Sequence, residues 1–266
     1  MLITGYNYIA AFLTFSCNSK CPYCITRLDG LCHKENAKGV DWVHLINSME
    51  VPEDVPITLQ GGEPTLHPDF YEIVNNIKKE ISLNLMTNLQ FNIKKFTQKI
   101  KTDKFYRKAP FPSIRVSYHI GQIKREKIIY KVKEMTDMGY SIGLYMLDHP
   151  KNQEEIRIVS EKCLKLGVDF RLKEYLDRQS DKSIFKYNIE KDLPVKCKIS
   201  DLIIGPDLCF YRCHYDLYTG KNPIPLRNQP DWILCNYPTR CNPCDLKIKN
   251  NRYQKWGHCS VEIEKI

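Results

Sequence analysis

The sequence predicts an α/β protein: a partial (β/α)6 TIM-like barrel followed by a small, cysteine-rich C-terminal region. Three observations predict it. Apolar strand-like runs alternate with amphipathic helical runs from Ile9 to Leu176, the pattern of right-handed βαβ crossovers and a parallel sheet. The alternation gives six strand–helix units, less the final helix, which is too few for a closed (β/α)8 barrel and suits an open one. Finally, seven of the twelve cysteines (Cys197, Cys209, Cys213, Cys235, Cys241, Cys244 and Cys259) crowd into the region after residue 190. The stretch 178–194 between them and the barrel is polar and ends in Pro194, as a linker would. The expected division is therefore 1–180 for the barrel and 190–266 for the cysteine-rich domain.

Taken in order, Ile9–Phe15 is an apolar first strand. Trp42, Leu45, Ile46 and Met49 have helical spacing, and Ile57–Leu59 is a short second strand. Phe70, Ile73, Val74, Ile77 and Ile81 mark an amphipathic helix that leads into a strand over Ser82–Thr87. Ile93, Phe96 and Ile100 make the next helix, and Ile114–Tyr118 the fourth strand. Ile128, Val132 and Met135 form a helix stopped by Gly139, before a strand over Ser141–Leu147. Ile156, Val159, Cys163 and Leu166 form a helix stopped by Gly167, and Phe170–Leu176 is the last strand.

Composition narrows the class. With 266 residues, 42% hydrophobic and 27% charged, the chain has ordinary globular proportions and can bury a large core. No run reaches the ~18 apolar residues of a membrane span, and Met1–Tyr8 lacks the basic start and apolar stretch of a signal peptide. A cytoplasmic, reducing location is expected, where clustered cysteines mean metal rather than disulfides. The net charge of +9 is partly local: Phe91–Pro110 carries Lys94, Lys95, Lys99, Lys101, Lys104, Arg107 and Lys108 against Asp103. Such a stripe is either a solvated helix face or a surface that reads phosphates.

In a parallel barrel the chemistry sits where strands exit. After the first strand come Cys17, Cys21 and Cys24, thiolates whose spacing wraps one face of a cubane iron–sulfur cluster and leaves one iron open. A zinc knuckle completed by a residue such as His33 is the other reading of that spacing. After the second strand comes Gln60-Gly61-Gly62-Glu63-Pro64-Thr65, whose glycines let backbone approach a ligand.

Together, Cys17-x3-Cys21-Pro22-Tyr23-Cys24 and Gly61-Gly62-Glu63-Pro64 resemble the radical S-adenosylmethionine superfamily. The resemblance implies a [4Fe–4S] cluster on Cys17, Cys21 and Cys24, and S-adenosylmethionine on the open iron. One electron then cleaves the cofactor to methionine and a 5′-deoxyadenosyl radical, which abstracts hydrogen from a substrate C–H bond. It places Tyr23 near the adenine and Gly61, Gly62 and Glu63 near the methionine amino group, largely through backbone. Thr87 and Asn88, Ser117 and His119, and Leu147 lie at later strand exits where the cofactor is approached.

In the tail, Cys197 and Cys213 flank a hairpin turned by Gly205-Pro206-Asp207, and Cys241 and Cys244 form a CxxC knuckle. This arrangement resembles twitch, the truncated form of the SPASM auxiliary-cluster domain of that superfamily, and implies a second [4Fe–4S] cluster on Cys197, Cys213, Cys241 and Cys244. Tetrahedral zinc uses similar ligand spacing, and Cys209, Cys235 or Cys259 is a candidate replacement ligand. A fully ligated second cluster suits electron transfer, so the resemblance implies an oxidoreductase of the dehydrogenase type, drawing electrons from a flavodoxin- or ferredoxin-type donor. Because the first strand begins by about Ile9, with no leader-binding domain ahead of it, a small polar metabolite is the expected substrate. A peptide, which an epimerase or maturase would modify, and a nucleic acid docked on the basic stripe are the alternatives, as is a zinc module that binds nucleic acid without catalysis. For a general base, Lys173, Glu174, Asp148 and His149 stand near late strand exits.

Overall fold

The structure, a computed structural model, describes residues 1–24, 35–53, 55–175, 193–238, 241, 248–249, 258–259 and 261–266. Its main body is the expected parallel barrel sheet: β1 (Tyr8–Thr14), β2 (Ile57–Gly61), β3 (Leu83–Thr87), β4 (Ile114–Ser117), β5 (Ile142–Asp148) and β6 (Asp169–Glu174) lie side by side in sequence order. The crossovers are α1 (Gly39–Ser48), α2 (Phe70–Asn76), α3 (Ile93–Lys99), α4 (Arg125–Asp137) and α5 (Gln153–Leu166). Strand alternation explains how they pack. Ile9, Ala11 and Leu13, Ile57 and Leu59, Leu83 and Leu85, Ile114 and Val116, and Leu144 and Met146 share one core with residues of all five helices. With every crossover on one face, the other face is the inner one of an open barrel, as opposed to a doubly wound sheet.

The tail contributes to the same sheet. After β7 (Val195–Ile199), β8 (Asp201–Ile204) pairs parallel with β1, and β9 (Phe210–Tyr211) and β10 (Pro223–Ile224) extend the edge antiparallel. The strand order is therefore β10-β9-β8-β1-β2-β3-β4-β5-β6. This is why every residue of β1 is buried. Its even-numbered side chains, Tyr8, Ala10 and Phe12, form an inner cluster with Ile203, Tyr211 and two residues of α6 (His214–Thr219), Leu217 and Tyr218. The predicted hairpin is β8–β9, and Cys197 and Cys213 flank it, on β7 and at the start of α6. A second sheet joins β11 (Ile233–Cys235), β7 and β14 (Val261–Lys265), and β12 (Ile248–Lys249) pairs with β13 (His258–Cys259).

One expectation needs correction and a second holds in part. The helix expected over Phe70–Ile81 ends at Asn76, although Ile77 and Ile81 remain buried. The reason is a competing hydrogen bond: the Lys78 N–H that a further turn would need donates instead to Asn47 Oδ1 at 2.9 Å. The basic stretch is a solvated face at Lys94, Lys95, Lys99, Lys101 and Lys108, all exposed, but it is not unbroken. Lys104 Nζ donates to the Asn75 and Ile77 carbonyls, Lys95 and Lys99 lie over the Tyr71 ring, and Arg107 is buried with its Nε 3.3 Å from Asn84 Oδ1. Among the described residues no helix is long and apolar enough to cross a membrane.

Candidate active site

The exits of β1 and β2 form one hydrogen-bonded unit. Gly62 N donates to the Thr14 carbonyl and Glu63 N to the Ser16 carbonyl, both at 2.8 Å. Only glycine fits this approach. A Cβ on Gly61, whose φ is +143°, would lie 2.1 Å from the Thr14 carbonyl oxygen, and one on Gly62 would lie 2.3 Å from that of Ser16. The chain then enters a short 3-10 turn, Pro64–Leu66, with Glu63 as its cap.

The Glu63 side chain is buried and fully engaged by neighbouring donors. Its Oε1 accepts from Thr65 Oγ1 at 2.6 Å and Thr87 Oγ1 at 2.8 Å, and its Oε2 accepts from Asn88 N at 2.7 Å. Thus Glu63 ties the β2 exit to the β3 exit. Burial pushes its carboxyl above the ordinary carboxylate range, against the pull of those hydrogen bonds. The Glu63 carboxylate is thus committed to Thr65, Thr87 and Asn88.

The cysteine loop is held from the β3 and β4 exits. Asn88 Nδ2 donates to Asn18 Oδ1 at 2.7 Å and Ser19 Oγ at 3.1 Å, and approaches Cys17 Sγ at 3.9 Å. Gln90 Nε2 donates to Ser19 Oγ at 2.8 Å, and Lys20 N donates to Gln122 Oε1 at 2.7 Å. Ser19 N is directed at Cys17 Sγ at 3.4 Å. Hydrogen bonds of this kind orient a ligating thiolate and temper its charge, which suits Cys17 to the cluster-ligand role expected of it with Cys21 and Cys24. Among the described residues, no three His, Cys, Asp or Glu side chains converge tightly enough for a single metal ion. Gln90 and Gln122 were not anticipated; their one signal was position, as polar residues a few places past strand ends.

Tyr23 and His119 meet across the mouth, with the Tyr23 Oη 3.1 Å from His119 Nδ1 and the ring centroids 5.6 Å apart. Burial pushes the Tyr23 phenol up to about 12. Burial and the Lys173 charge push His119 down to about 4, so its ring is neutral at physiological pH. Ser117 stands opposite Tyr145 in the β4–β5 register, and Leu147 opposite Lys173 in the β5–β6 register. Their alternation with core residues puts both on the inner face.

The expected general bases are scattered. Asp148 is exposed and accepts from Gln153 Nε2 at 2.8 Å. His149 caps the turn Pro150–Asn152 by accepting from Lys151 N at 3.0 Å, and its ring lies against Tyr175. Lys173 is inward, with Nζ 5.1 Å from the Tyr145 ring centroid. The Glu174 side chain lies outside the described part, as do Cys32, His33 and Cys244.

In the tail, Cys197, Cys213 and Cys235 share a small buried cluster, with Cys241 packed against it. The register explains this: β11 runs antiparallel to β7, with Cys235 opposite Val195 and Ile233 opposite Cys197. The interaction between the Cys197 and Cys235 thiols pushes Cys197 up and pulls Cys235 down. Beside them Arg212 is buried, its Nη2 2.8 Å from Asp216 Oδ2 and its Nη1 donating to the Leu234 carbonyl. Cys209 sits in the β8–β9 turn and packs on the inner cluster of β1, and Cys163 is buried in α5.

No protein-family profile matches the chain. Solved structures do resemble it. The chain aligns with anSMEcpe bound to AdoMet and the Cp18Cys peptide at a TM-score of 0.53 and 13% identity, over 78% of this chain and 73% of that one. With anSMEcpe bound to AdoMet alone, the TM-score is 0.51 and the identity 16%, over 68% and 54%. SuiB from Streptococcus suis bound to S-adenosylmethionine aligns at 0.48 and 18%, over 66% and 42%. The chain thus spans less than half of SuiB and between 54% and 73% of these two anSMEcpe chains. At these identities the likeness establishes the fold alone, a partial barrel shared with the anSMEcpe chains.

Proposed function

We propose that the chain is a radical S-adenosylmethionine enzyme. One observation carries the reading: the three-cysteine loop and the Gly61-Gly62-Glu63 loop, far apart in sequence, are bonded together at adjacent strand exits and braced from β3 by Asn88. The anSMEcpe structures that share the fold hold AdoMet, which supports the same cofactor here. Cys17, Cys21 and Cys24 would hold a [4Fe–4S] cluster, which when bound would supply the electron for reductive cleavage of S-adenosylmethionine and so the radical chemistry of hydrogen abstraction.

The chain's own residues do the rest. Gly61 and Gly62 keep the methionine end clear of side chains and offer it backbone groups. Tyr23 and the neutral His119 would offer the adenine an uncharged wall, with Ser117 and Leu147 at neighbouring strand exits on the inner face. Thr87 and Asn88 act at a remove, by fixing Glu63 and the cysteine loop. We assign a second cluster to Cys197, Cys213, Cys241 and Cys244. The clustering of Cys235 with the first three makes it the leading substitute for one of them. On this reading, residues 190–266 form the auxiliary-cluster part and residues 1–180 the catalytic part, although β8–β10 are built into the barrel sheet.

A dehydrogenase-type reaction, a flavodoxin- or ferredoxin-type donor and a cytoplasmic location complete the proposal. A small polar metabolite finds no support among the solved structures, and the peptide held by anSMEcpe favours a peptide substrate. Deuterated candidate substrates test this: label transferred into 5′-deoxyadenosine identifies the C–H bond attacked. A colourless zinc protein that transfers no label would overturn it.

A further inference from the structure

Among the described residues, β4, β5 and β6 present more cations than acids on the inner face of the barrel. Arg115 (β4), Tyr145 (β5), and Asp169 and Arg171 (β6) alternate with residues whose side chains pack in the helix-side core, so they point inward, and Lys173 (β6) shares their face by register, opposite Leu147. Arg115 and Arg171 both act electrostatically on the Tyr145 phenol, and Lys173 Nζ lies over its ring at 5.1 Å. The acid among them, Asp169, is taken by Arg171 in a two-pronged pair, Nε to Oδ1 at 2.8 Å and Nη2 to Oδ2 at 2.9 Å. Gly143 makes room for that pair, since a Cβ there would lie 2.9 Å from Asp169 Oδ1.

Arg115 is left over. It donates one hydrogen bond, from Nη2 to Thr58 Oγ1 at 3.3 Å, and its Nε is buried without a hydrogen-bond partner. Among the described residues no carboxylate reaches it. A half-buried guanidinium with nothing to neutralise it is costly, and its flat fork matches a carboxylate or a phosphate. The layer also leads toward the cofactor end, because the Lys173 charge is felt at His119, which meets Tyr23.

We propose that Arg115, flanked by Lys173 and Arg171 around Tyr145, docks an oxyanion carried by the substrate, a carboxylate or a phosphate, on the inner face of the barrel. The word substrate rests on the enzymatic reading above; the anion site does not. Its chemistry would place an acidic side chain, a free carboxylate or a phosphate ester at a fixed distance from the C–H bond attacked.

Calorimetric titration of the reconstituted protein with glutarate and with inorganic phosphate, without S-adenosylmethionine, tests the site directly. Saturable binding of at least one probe at one site per chain is expected, and which probe binds separates carboxylates from phosphate esters. Arg115→Gln should weaken it at least tenfold, while the exposed-surface control Lys79→Gln should not. If Arg115→Gln does not fold, Arg115→Lys, which keeps charge but loses the fork, is read instead: weaker binding supports the site. No saturable binding of either probe, or binding unchanged in the Arg115 variant, overturns it. Because the readout involves no cofactor cleavage, failure here is distinct from failure of the enzymatic reading.

Discussion

Replacing Glu63 by alanine removes the clasp between the β2 and β3 exits. The Thr87 hydroxyl and the Asn88 N–H, which donate to Glu63 at 2.8 and 2.7 Å, would be left in the interior. Each buried donor without an acceptor costs ~1–3 kcal/mol, whereas the half-buried Thr65 can turn to water. Allowing for some relaxation, the expected loss is ~3 kcal/mol, or roughly 6–12 °C in melting temperature for a chain of this size. Glu63→Gln should be far milder. Its carbonyl can keep the Asn88 N–H while its amide faces the Thr65 and Thr87 hydroxyls, which rotate to accept; only the 3.3 Å bond from Thr65 N is sacrificed. That limits the loss to ~1 kcal/mol. The assay is anaerobic thermal unfolding of reconstituted protein at one fixed scan rate. A pH series adds a sign. Because the Glu63 carboxyl is raised in the fold, its contribution to stability is present below its ordinary value of 4.5 and is lost as pH rises through the raised value. Glu63→Gln should remove that slope. An alanine variant that melts with the wild type, or a glutamine variant that falls as far as alanine, would refute the reasoning.

Other outcomes follow from the same geometry. His119, pushed down to about 4, contributes stability that is present above its ordinary 6.5 and lost as pH falls toward 4; unfolding followed from pH 7 to 4 should show this loss, and His119→Gln should flatten it. Gly62→Ala should drive the β1 and β2 exits apart, since its Cβ would lie 2.3 Å from the Ser16 carbonyl oxygen; equilibrium binding of S-adenosylmethionine should weaken by at least about tenfold, ~1.4 kcal/mol. In the tail, single alanine variants of Cys197, Cys213, Cys235, Cys241 and Cys244 should separate ligands from bystanders by iron content. Of ~8 irons in a two-cluster protein, each true ligand should cost up to about half, and Cys235→Ala should lose iron if it replaces one of the other four.

Much of the barrel was legible because its strands are either apolar runs, as in β1 and most of β5, or alternate apolar with polar residues, as in β4 and β6. The cysteine and glycine motifs were legible because each is local in sequence and sits at a strand exit. What was not legible depends on partners distant in sequence. The termination of α2 is decided by Asn47, on α1. The role of Glu63 depends on Thr87 and Asn88, one crossover later. The docking of β8 beside β1 had one faint signal, that Tyr8, Ala10 and Phe12 are as apolar-bodied as Ile9, Ala11 and Leu13 and so need cover on both faces. Arg107 read as one more residue of a basic stripe, yet it leaves that stripe for Asn84 in the interior. The grouping of Cys235 with Cys197 and Cys213 arises from strand register, which spacing alone does not encode.

The central claim is that the loops at the first two strand exits together hold a cluster that cleaves S-adenosylmethionine. It is tested most directly by anaerobic reconstitution, reduction with dithionite and chromatographic measurement of products. The account predicts methionine and 5′-deoxyadenosine in equal amounts from the wild type, and neither from the Cys17, Cys21 and Cys24 triple alanine variant, which should also lose about half the iron. Fully reconstituted wild-type protein that forms no 5′-deoxyadenosine, or a triple variant that retains all its iron, would contradict it.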